Sequence, residues 1–599
     1  MTVLDPGGHY KPLDFGADGV TGSVTADGRI IAINAYHPVH GYVTLTAADP
    51  FAEGERYNPA SVRAYRAGLV DLDGFGYTFE APVIWREAEL LEDVLPRLRL
   101  AFADGGRATV TTLAVENGVL QLWDVEGTTP RWTGRVSVQR CAYTQLTEGG
   151  PLPPAPIETR ARFANGVLTL ENPALGHAVA LAGLPDSGRE WARGARSPLG
   201  VRLDGQPGRS ILAYGIGATA GEAAARAQEL AAMDGAALIE AQRSVWRERW
   251  RGIPPDLILR RGLSYSLALA VPVDDTICLL TDHMLLPLSW NRDSYYAARA
   301  LLSWQPAMAD VVRRHLLWMF ERAERRAGAW GRCYLATGRI KDGAFQLDQQ
   351  LFPLLELAEY TLETHERDTF ERVRPQVSAV REMLLRRRGG SALFSTDETP
   401  ADDPIALPYS FSSHVLFWRV AMLMARIDPL AQWRALADEL RESIDRCFIV
   451  PRGDRKLYAY ATNSAGQHHF YHDANDVPFA LSPAWGIVKA SDPVWQATVA
   501  FAYGDENVGG AYSGRLGSVH TRAPWPLGDV QAIMIARAQN DPIAEARAWA
   551  NLRRSAQWDG ALPEAADAQT GAVISRHWFA WPNAMLAWIN LERGAEGRC

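Results

Sequence analysis

Asp397, Glu398, Asp402 and Asp403 fall within seven positions of the stretch STDETPADDPIALPYSFSSHVLFW, residues 395–418, which contains no Lys or Arg. Crowded carboxylates disfavour one another's ionisation, so one member of such a group tends to keep its proton. A carboxyl that is protonated near neutral pH can serve as a general acid. Two other uses compete. A calcium loop needs oxygen ligands at alternate positions with a Gly turn and a closing acid, and this spacing has neither. Zinc would want nearby His or Cys, and His414 stands alone inside the apolar run that follows. A solvated turn and a catalytic loop remain.

Glu564, in DGALPEAADAQTGAVISRHWFAWPNAML, shifts the balance towards catalysis. Leu562, Pro563, Trp578, Phe579 and Trp581 flank it, and apolar surroundings of this kind tune a carboxylate's pKa by desolvation. Two carboxylates carried by distant segments to one face are what glycoside hydrolysis requires. One protonates the departing oxygen and the other activates water.

Further polar groups could serve the same site. In WNRD (290–293), Arg292 and Asp293 could form a buried ion pair, or bind vicinal sugar hydroxyls with Trp290 under the ring. Asp348, in FQLDQQ, is an acid on an otherwise apolar helix, either a network member or a ligand. Asp473, Asn475 and Asp476 precede Pro478 in YHDANDVP, where helix capping accounts for at least one of them. His520 and Trp525, in VHTRAPWPLGD, could line the same face, although a lone His is commonly a structural hydrogen bonder. Trp578 and Trp581 add flat apolar surface of the kind that sugars stack on.

These residues need elements to hold them. The chain has 599 residues, 47% apolar and 22% charged, with a net charge of -8 and 20 Trp. That length suggests two or three domains of an ordinary globular protein. The acidic balance argues against nucleic acid as a partner. The run Arg386-Arg387-Arg388 before Gly389-Gly390 reads as a helix C-terminus, which favours cations. No uninterrupted apolar stretch of about 18 residues suggests a membrane span, and the start MTVLDPGGHYKPLD lacks an apolar signal core. Five scattered cysteines, Cys599 among them, show no paired spacing. The expectation is a reduced, cytoplasmic protein.

Residues 1–219 read as short strands between Gly and Asn-Gly turns, the pattern of an antiparallel β-sandwich or super-sandwich. Residues 220–255 are Ala-rich and helical in period, a linker ending at Pro254-Pro255. From 256 to 599 about twelve helices are expected and no strand run. They begin near 257, 292, 307, 346, 368, 409, 429, 478, 491, 526, 542 and 577. Six polar motifs precede or open every second one. In six helical hairpins closed as an (α/α)6 toroid, those six starts would converge on one face.

The six motifs, in order, resemble those of the metal-independent exo-α-mannosidases of glycoside hydrolase family 125. WNRDS is similar to their WLRDS, FQLDQQ to YELDS, PADD to PSDD and YHDANDVP to DDANVP. HTRAPWPLGDVQ is similar to HTGLGYIWPMS, and LPE with RHWFAWPNAML to MHES and RPWFAWANT. The resemblance spans residues 280–599. Family 15 glucoamylases show a looser version of the frame, and their bacterial members carry an N-terminal β domain with a helical linker. The resemblance implies an (α/α)6 toroid, inversion and no metal or other cofactor. It makes an acid of the PADD loop the proton donor and Glu564 the base. Asp402 matches the first Asp of PSDD, and its spacing to Trp418 matches the family 15 spacing from the catalytic Glu to a helix Trp. Asp403 and Glu398 are the alternatives.

The expected protein is therefore an inverting exo-α-glycosidase acting on an oligosaccharide or small glycoside, α-mannoside before α-glucoside. A glycoside phosphorylase and a non-catalytic sugar-binding protein are the rival readings. HTRAPWPLGD departs from the mannosidase sequence and leaves the sugar's identity open. The oligomeric state does not follow from the sequence.

Overall fold

The computed structural model describes residues 2–5, 8–50, 55, 58–141, 149, 152, 156–186, 188–193, 198–389, 392–429 and 432–596. Gly390 and Cys599 lie outside the described residues. Contacts divide the chain into two units. One is Met1–Leu288 with Leu335–Thr337 and Gln557–Ala561; the other is Ser289–Tyr334, Gly338–Ala556 and Leu562–Cys599.

The first unit is built on two antiparallel sheets, of nine and eight strands. The meander Val83–Leu91, Leu95–Phe102, Arg107–Val115 and Gly118–Glu126 forms half of the larger sheet, which continues through Gly208–Gly217 to His177–Ala182, Val167–Asn172 and Arg160–Ala164. Turn chemistry explains the closing hairpin. Asn165 (φ 53°) and Gly166 (φ 71°) are both left-handed, as a two-residue type I′ turn requires. Inward-facing side chains of both sheets, among them Leu13, Ile33, Leu45, Trp132, Leu98, Val110 and Trp123, belong to one apolar cluster.

This unit also holds four helices: α1 (Pro59–Gly68), α2 (Ala220–Ala231), α3 (Gly235–Arg249) and α4 (Leu257–Ala268). Helix α2 lies against the larger sheet through small residues, with Ala223 and Ala227 on Ala178, Ala180 and Ala182. A Cβ on Gly215 would stand 2.2 Å from the Ala227 nitrogen, so this approach needs glycine.

The contact boundary follows Leu288, whereas the expected helical domain begins at 256. Buried polar bonds explain the difference. The Lys11 ammonium contacts Asp14 (2.6 Å) and Asp559 (2.7 Å), and Arg261 of α4 reaches the same carboxylates at 3.3 and 3.2 Å. His283 bridges Ser23 (2.9 Å) and Tyr265 (3.0 Å). Burial opposes ionisation of Asp14, but Lys11, His283 and Arg261 outweigh it and take its pKa down to about 2. Its stabilising charge is therefore present above the ordinary carboxylate range and lost only as pH falls through about 2.

The second unit holds α5 (Asn291–Trp304), α6 (Ala309–Leu317), α7 (Leu347–Thr364), α8 (Asp368–Arg386), α9 (Phe411–Ile427), α10 (Trp433–Phe448), α11 (Val477–Trp485), α12 (Pro493–Ala502), α13 (Pro526–Gln539), α14 (Pro542–Ser555) and α15 (Ala580–Glu596). With α4 they answer the twelve expected helices. Helices α5, α7, α9, α11, α13 and α15 each pack on the next, and α15 returns to α5. The ring helices are buried on nearly every face, as in α7 from Leu347 to Thr361, whereas α10 buries one stripe.

The expectation of no strands after 256 is corrected. Short antiparallel pairs join the helices, including Cys333–Leu335 with Ile340–Asp342 and Ala565–Ala566 with Val573–Ser575. Strands of two to four residues are too short to show alternation in sequence. Arg386 ends α8 as expected, and the basic run is paired: Arg387 with Asp397 and Arg388 with Glu439. No helix among the described residues is long and apolar enough to cross a membrane.

The buried charge cluster generates a stability prediction. Lys11→Met leaves Asp14 and Asp559 sharing one cation and is expected to cost about 3–5 kcal/mol. Arg209→Ala, at the exposed pair with Asp124, is expected to change stability by about 1 kcal/mol or less. Urea denaturation of both variants, followed by far-UV circular dichroism, tests the contrast; equal losses would refute it.

Candidate active site

All six polar motifs lie at the heads of ring helices. WNRD opens α5, FQLDQQ opens α7, the acidic loop precedes α9, YHDANDVP enters α11, the His520 segment enters α13 and the Glu564 segment leads to α15. In the ring order α5, α7, α9, α11, α13, α15, the acidic loop and Glu564 therefore belong to opposite helices.

The acidic loop is held tightly. Thr399 accepts backbone amides from Ala401 and Asp403 through its hydroxyl, and its own amide donates to the Asp403 carbonyl at 2.7 Å. Thr396 ties the loop to α7 by accepting the Leu347 amide at 3.0 Å. Asp402 adopts a left-handed backbone at φ 64°.

Asp402 is surrounded by donors. Its Oδ1 accepts Gln346 Nε2 at 2.7 Å and Arg292 Nη2 at 3.2 Å, and its Oδ2 accepts Trp290 Nε1 at 3.2 Å. Burial pushes this carboxyl up, but Arg292, Arg332 and the Gln346 bond more than reverse that, and its pKa falls below the ordinary value. The expectation that neighbouring acids hold a proton on Asp402 is corrected. Asp397 is drawn away by Arg387 at 2.9 Å, and Asp403 faces His520 at 3.5 Å. The acid of this loop that is raised is instead Glu398. Burial raises its carboxyl against Arg332, with the Asp402 charge adding to the rise. Gln346 Nε2 bridges the two acids, lying 2.9 Å from Glu398 Oε2. Arg332 also bonds Glu398 at 3.0 Å and pairs with Asp342.

Arg292 acts as a brace. It is 3% exposed, bonds Asp348 at 2.8 Å as well as Asp402, and lies 5.1 Å over the Trp581 ring. Asp293 is pushed up to about 7, chiefly by burial, with Arg292 and Arg576 opposing. Asp348 is likewise raised by burial, against Arg292.

The capping role expected near α11 is corrected. Asp476 occupies the N-cap position but makes no side-chain cap bond. Its carboxyl accepts Ser412 Oγ at 2.7 Å and the Asp473 amide at 3.2 Å, and burial raises it far above the ordinary value. Asp473 accepts the Tyr471 hydroxyl at 2.6 Å and the Asn475 side chain at 2.5 Å.

His520 is partly exposed. Its Nδ1 lies 3.0 Å from Ser518 Oγ, and its ring meets Trp525 edge-on at 5.5 Å. Burial disfavours its charge, yet the Asp403 bond and the fields of Glu564 and Asp473 raise its pKa to about 9. His414, by contrast, is buried, accepts the Phe394 amide at 2.9 Å and is lowered to about 4 by desolvation.

Glu564 sits in a charged setting, which corrects the apolar surroundings expected for it. Ser575 Oγ donates to Oε2 at 2.5 Å and Arg576 Nη1 to Oε1 at 3.2 Å. Arg576 also lies 4.4 Å over Phe579, which meets Trp525 at 6.0 Å. A continuous chain of contacts thus runs from Asp403 through His520, Trp525, Phe579 and Arg576 to Glu564. Trp578 and Trp581 are each 1% exposed, and Trp581 stacks on Tyr296 at 5.4 Å. They pack behind the site and offer no open stacking surface. Gln346, Arg332, Tyr471, Ser575 and Arg576 were not foreseen. Gln346, Tyr471, Ser575 and Arg576 lie inside or beside the quoted motifs; Arg332 carries no sequence signal. Among the described residues no group of three or more His, Cys, Asp or Glu is placed to hold a metal ion.

Residues 387–590 match the family model for metal-independent alpha-mannosidase (GH125). That match brackets both the acidic loop and Glu564. The meiotically up-regulated gene 157 protein of Schizosaccharomyces pombe is 25% identical over 212 residues, covering 32% of this chain and 40% of that protein. Three solved structures are similar in fold. A metal-independent alpha mannosidase from Streptococcus pneumoniae, in a non-productive complex with alpha-1,6-mannobiose, has 20% identity and a TM-score of 0.50, covering 58% of this chain and 96% of its own. A bacterial glucoamylase complexed with acarbose has 13% identity and a TM-score of 0.67, covering 99% and 96%. A putative kojibiose phosphorylase from human microbiome has 9% identity and a TM-score of 0.57, covering 98% and 86%. The family match shows the resemblance read from the motifs, and the structures show a glucoamylase-like fold.

His520 provides the test of this electrostatic picture. Its imidazole is expected to lose its proton near pH 9 and to titrate at lower pH in Asp403→Asn. Because its folded pKa is raised, the stability it contributes is complete below the ordinary His value and is lost as pH rises through about 9. NMR titration of the His520 ring protons measures the midpoint; a value near 6.5 would show that the carboxylate field does not reach it.

Proposed function

We propose that the chain is an inverting, exo-acting α-glycosidase of the metal-independent type, with a β super-sandwich region followed by an (α/α)6 toroid. The observation that carries this reading is the placement of the acidic loop and Glu564 on opposite ring helices, inside the segment that matches the mannosidase family. An inverting enzyme needs its two carboxyl groups on opposite faces of the sugar, separated by room for a water. Acid and base from opposite sides of one ring meet that need.

In this mechanism Glu564, oriented by Ser575 and Arg576, removes a proton from the water that attacks the anomeric carbon. The acid loop protonates the departing oxygen. Asp402 is the expected donor because it matches the first Asp of the PSDD motif and has the family 15 spacing to Trp418; Trp290 and Arg292, both at the head of α5, bond it. It is ionised in the free protein, so sugar binding must draw Arg292 towards a hydroxyl and restore the affinity of Asp402 for a proton. Glu398, whose carboxyl is raised by burial, is the competing donor. His520, Asp403, Asp473 and Asn475 are the polar groups that would read the sugar. Terminal α-mannoside is the first substrate. α-Glucoside is the second, favoured by the likeness to the bacterial glucoamylase along 99% of the chain.

Glu564→Gln is expected to lower turnover by about 10²–10⁴-fold while leaving the fold and sugar binding intact. The assay uses nitrophenyl α-mannoside and α-glucoside in phosphate-free buffer, with the anomer of the first product read by NMR. Retention of configuration, or a requirement for phosphate, would remove this mechanism.

The donor is assigned by leaving-group dependence. Asp402→Asn is expected to cripple poor leaving groups and to spare glycosyl fluorides, which need little protonation. If Glu398→Gln or Asp403→Asn gives that pattern and Asp402→Asn does not, the proton comes from the other acid.

A further inference from the structure

The turn between the strands Ile30–His37 and Gly41–Thr46 is closed by an imidazole. His37 Nδ1 accepts the backbone amide of Val39 at 3.1 Å and that of His40 at 3.2 Å. Two donors aimed at one ring nitrogen fix its state. Nδ1 must present a lone pair, so the neutral ring keeps its hydrogen on Nε2. Pro38 follows directly and presets the bend. A protonated His37 carries hydrogen on both nitrogens and can accept neither amide. Proton uptake therefore replaces two hydrogen bonds with N–H groups that face one another.

The surroundings add to this opposition. The His37 and His40 rings stack with centroids 4.8 Å apart, and His177 meets His37 edge-on at 6.3 Å. His177 is 4% exposed, and its Nε2 has no hydrogen-bond partner among the described residues. The charged and titratable groups that act here are His37 and His40 on the turn, His177 at the start of His177–Ala182 and Arg140 at the end of Arg131–Arg140. Among the described residues no carboxylate joins them. Burial lowers the pKa of His37, with the Gly176 and Leu175 backbone opposing. Burial also lowers His40, helped by His37 and Arg140, and takes His177 down to about 3, helped by His37 and His40.

The turn also has a neighbour to hold. Gly41, left-handed at φ 78°, ends it, and a Cβ there would stand 3.1 Å from Leu335 Cβ and 3.4 Å from the Ala336 nitrogen. Leu335 and Ala336 belong to the same unit as the turn. They lead into the bend between Cys333–Leu335 and Ile340–Asp342, the strand pair that Arg332 adjoins.

We propose that this turn is a proton-operated latch, closed on Leu335 and Ala336 while His37 is neutral and opened when His37 takes up a proton. Because the folded pKa of His37 is lowered, the latch's contribution to stability is complete above the ordinary His value. It is lost as pH falls through the lowered one. The latch does not depend on the reaction assigned to Glu564.

The test is an NMR pH titration of the full-length protein, ¹⁵N-labelled at histidine, leucine and alanine. The His37 ring nitrogens are assigned by their loss in His37→Asn. They are expected to show the Nε2–H tautomer at neutral pH and a midpoint below the ordinary value of about 6.5. The Leu335 and Ala336 amide resonances are expected to shift with that same midpoint. Asn at position 37 can accept amides of its own turn but does not titrate, so in His37→Asn both resonances are expected to stay at their high-pH positions. His40→Gln keeps the Nδ1 acceptor and is expected to keep the transition. An Nδ1–H tautomer overturns the proposal, as do Leu335 and Ala336 resonances that ignore the His37 midpoint. A transition that survives in His37→Asn, or one that is lost in His40→Gln, overturns it too. If His37→Asn fails to fold, the wild-type tautomer and midpoints together with His40→Gln decide.

Discussion

The second unit is organised around one buried cation. Arg292 cannot lose its proton, and it is enclosed by Asp348, Asp402 and Asp293 above the face of Trp581. Removing such a charge from water is tolerated only when its donors are taken up by acceptors. Each acceptor sits at the head of a ring helix or on the loop before one: Asp348 on α7, Asp402 before α9, Asp293 on α5 itself. Neutralising this one guanidinium therefore sets where three helix heads meet and which of the neighbouring acids ionises. Asp402, in direct contact with it, is held below its ordinary value, while Glu398, one amide further away, is raised by burial.

This hierarchy explains what could and could not be seen in the residues alone. The twelve helices were legible because ring helices buried on every side are long apolar runs, and their partners carry a single apolar stripe. The positions of the site groups were legible for a related reason. A polar residue at the head of an otherwise apolar helix, such as Asp348 or Arg292, has no solvent to face and must serve a partner or a ligand. Local crowding suggested a protonated Asp402, but crowding in sequence is not proximity in space. Asp397 and Asp403 turn to Arg387 and His520, and the charge that governs Asp402 comes from a helix more than a hundred residues away. The same failure of local reasoning applies to Asp476, whose position fits a cap but whose carboxyl turns to Ser412.

The helix-connecting hairpins were not foreseen, although they deliver cations to the site. Arg332 adjoins the pair Cys333–Leu335 and Ile340–Asp342, and Arg576 follows Val573–Ser575. Their strands pair through the backbone, which carries no residue-type signature at such lengths. The resulting electrostatic division of labour is clear. Arg292 and Arg332 hold Asp402 below the ordinary carboxylate value, whereas burial, with the Asp473 charge beside it, raises Asp476 well above it. Such separation of neighbouring acids is how a single fold supplies both proton donors and proton acceptors.

The left-handed backbone at Asp402 has an evolutionary consequence. Gly adopts this conformation most readily, and Asn and Asp are the side chains that favour it most. Exchange for Glu, the customary conservative swap between acids, would combine a strained main chain with a side chain one methylene too long for the Gln346 and Arg292 donors. The torsion angle at this position therefore favours aspartate over glutamate alongside the reach its donors require. Loss of the acid is correspondingly easy for the backbone: Asn and Gly, which it accepts readily, are each a single codon change from Asp.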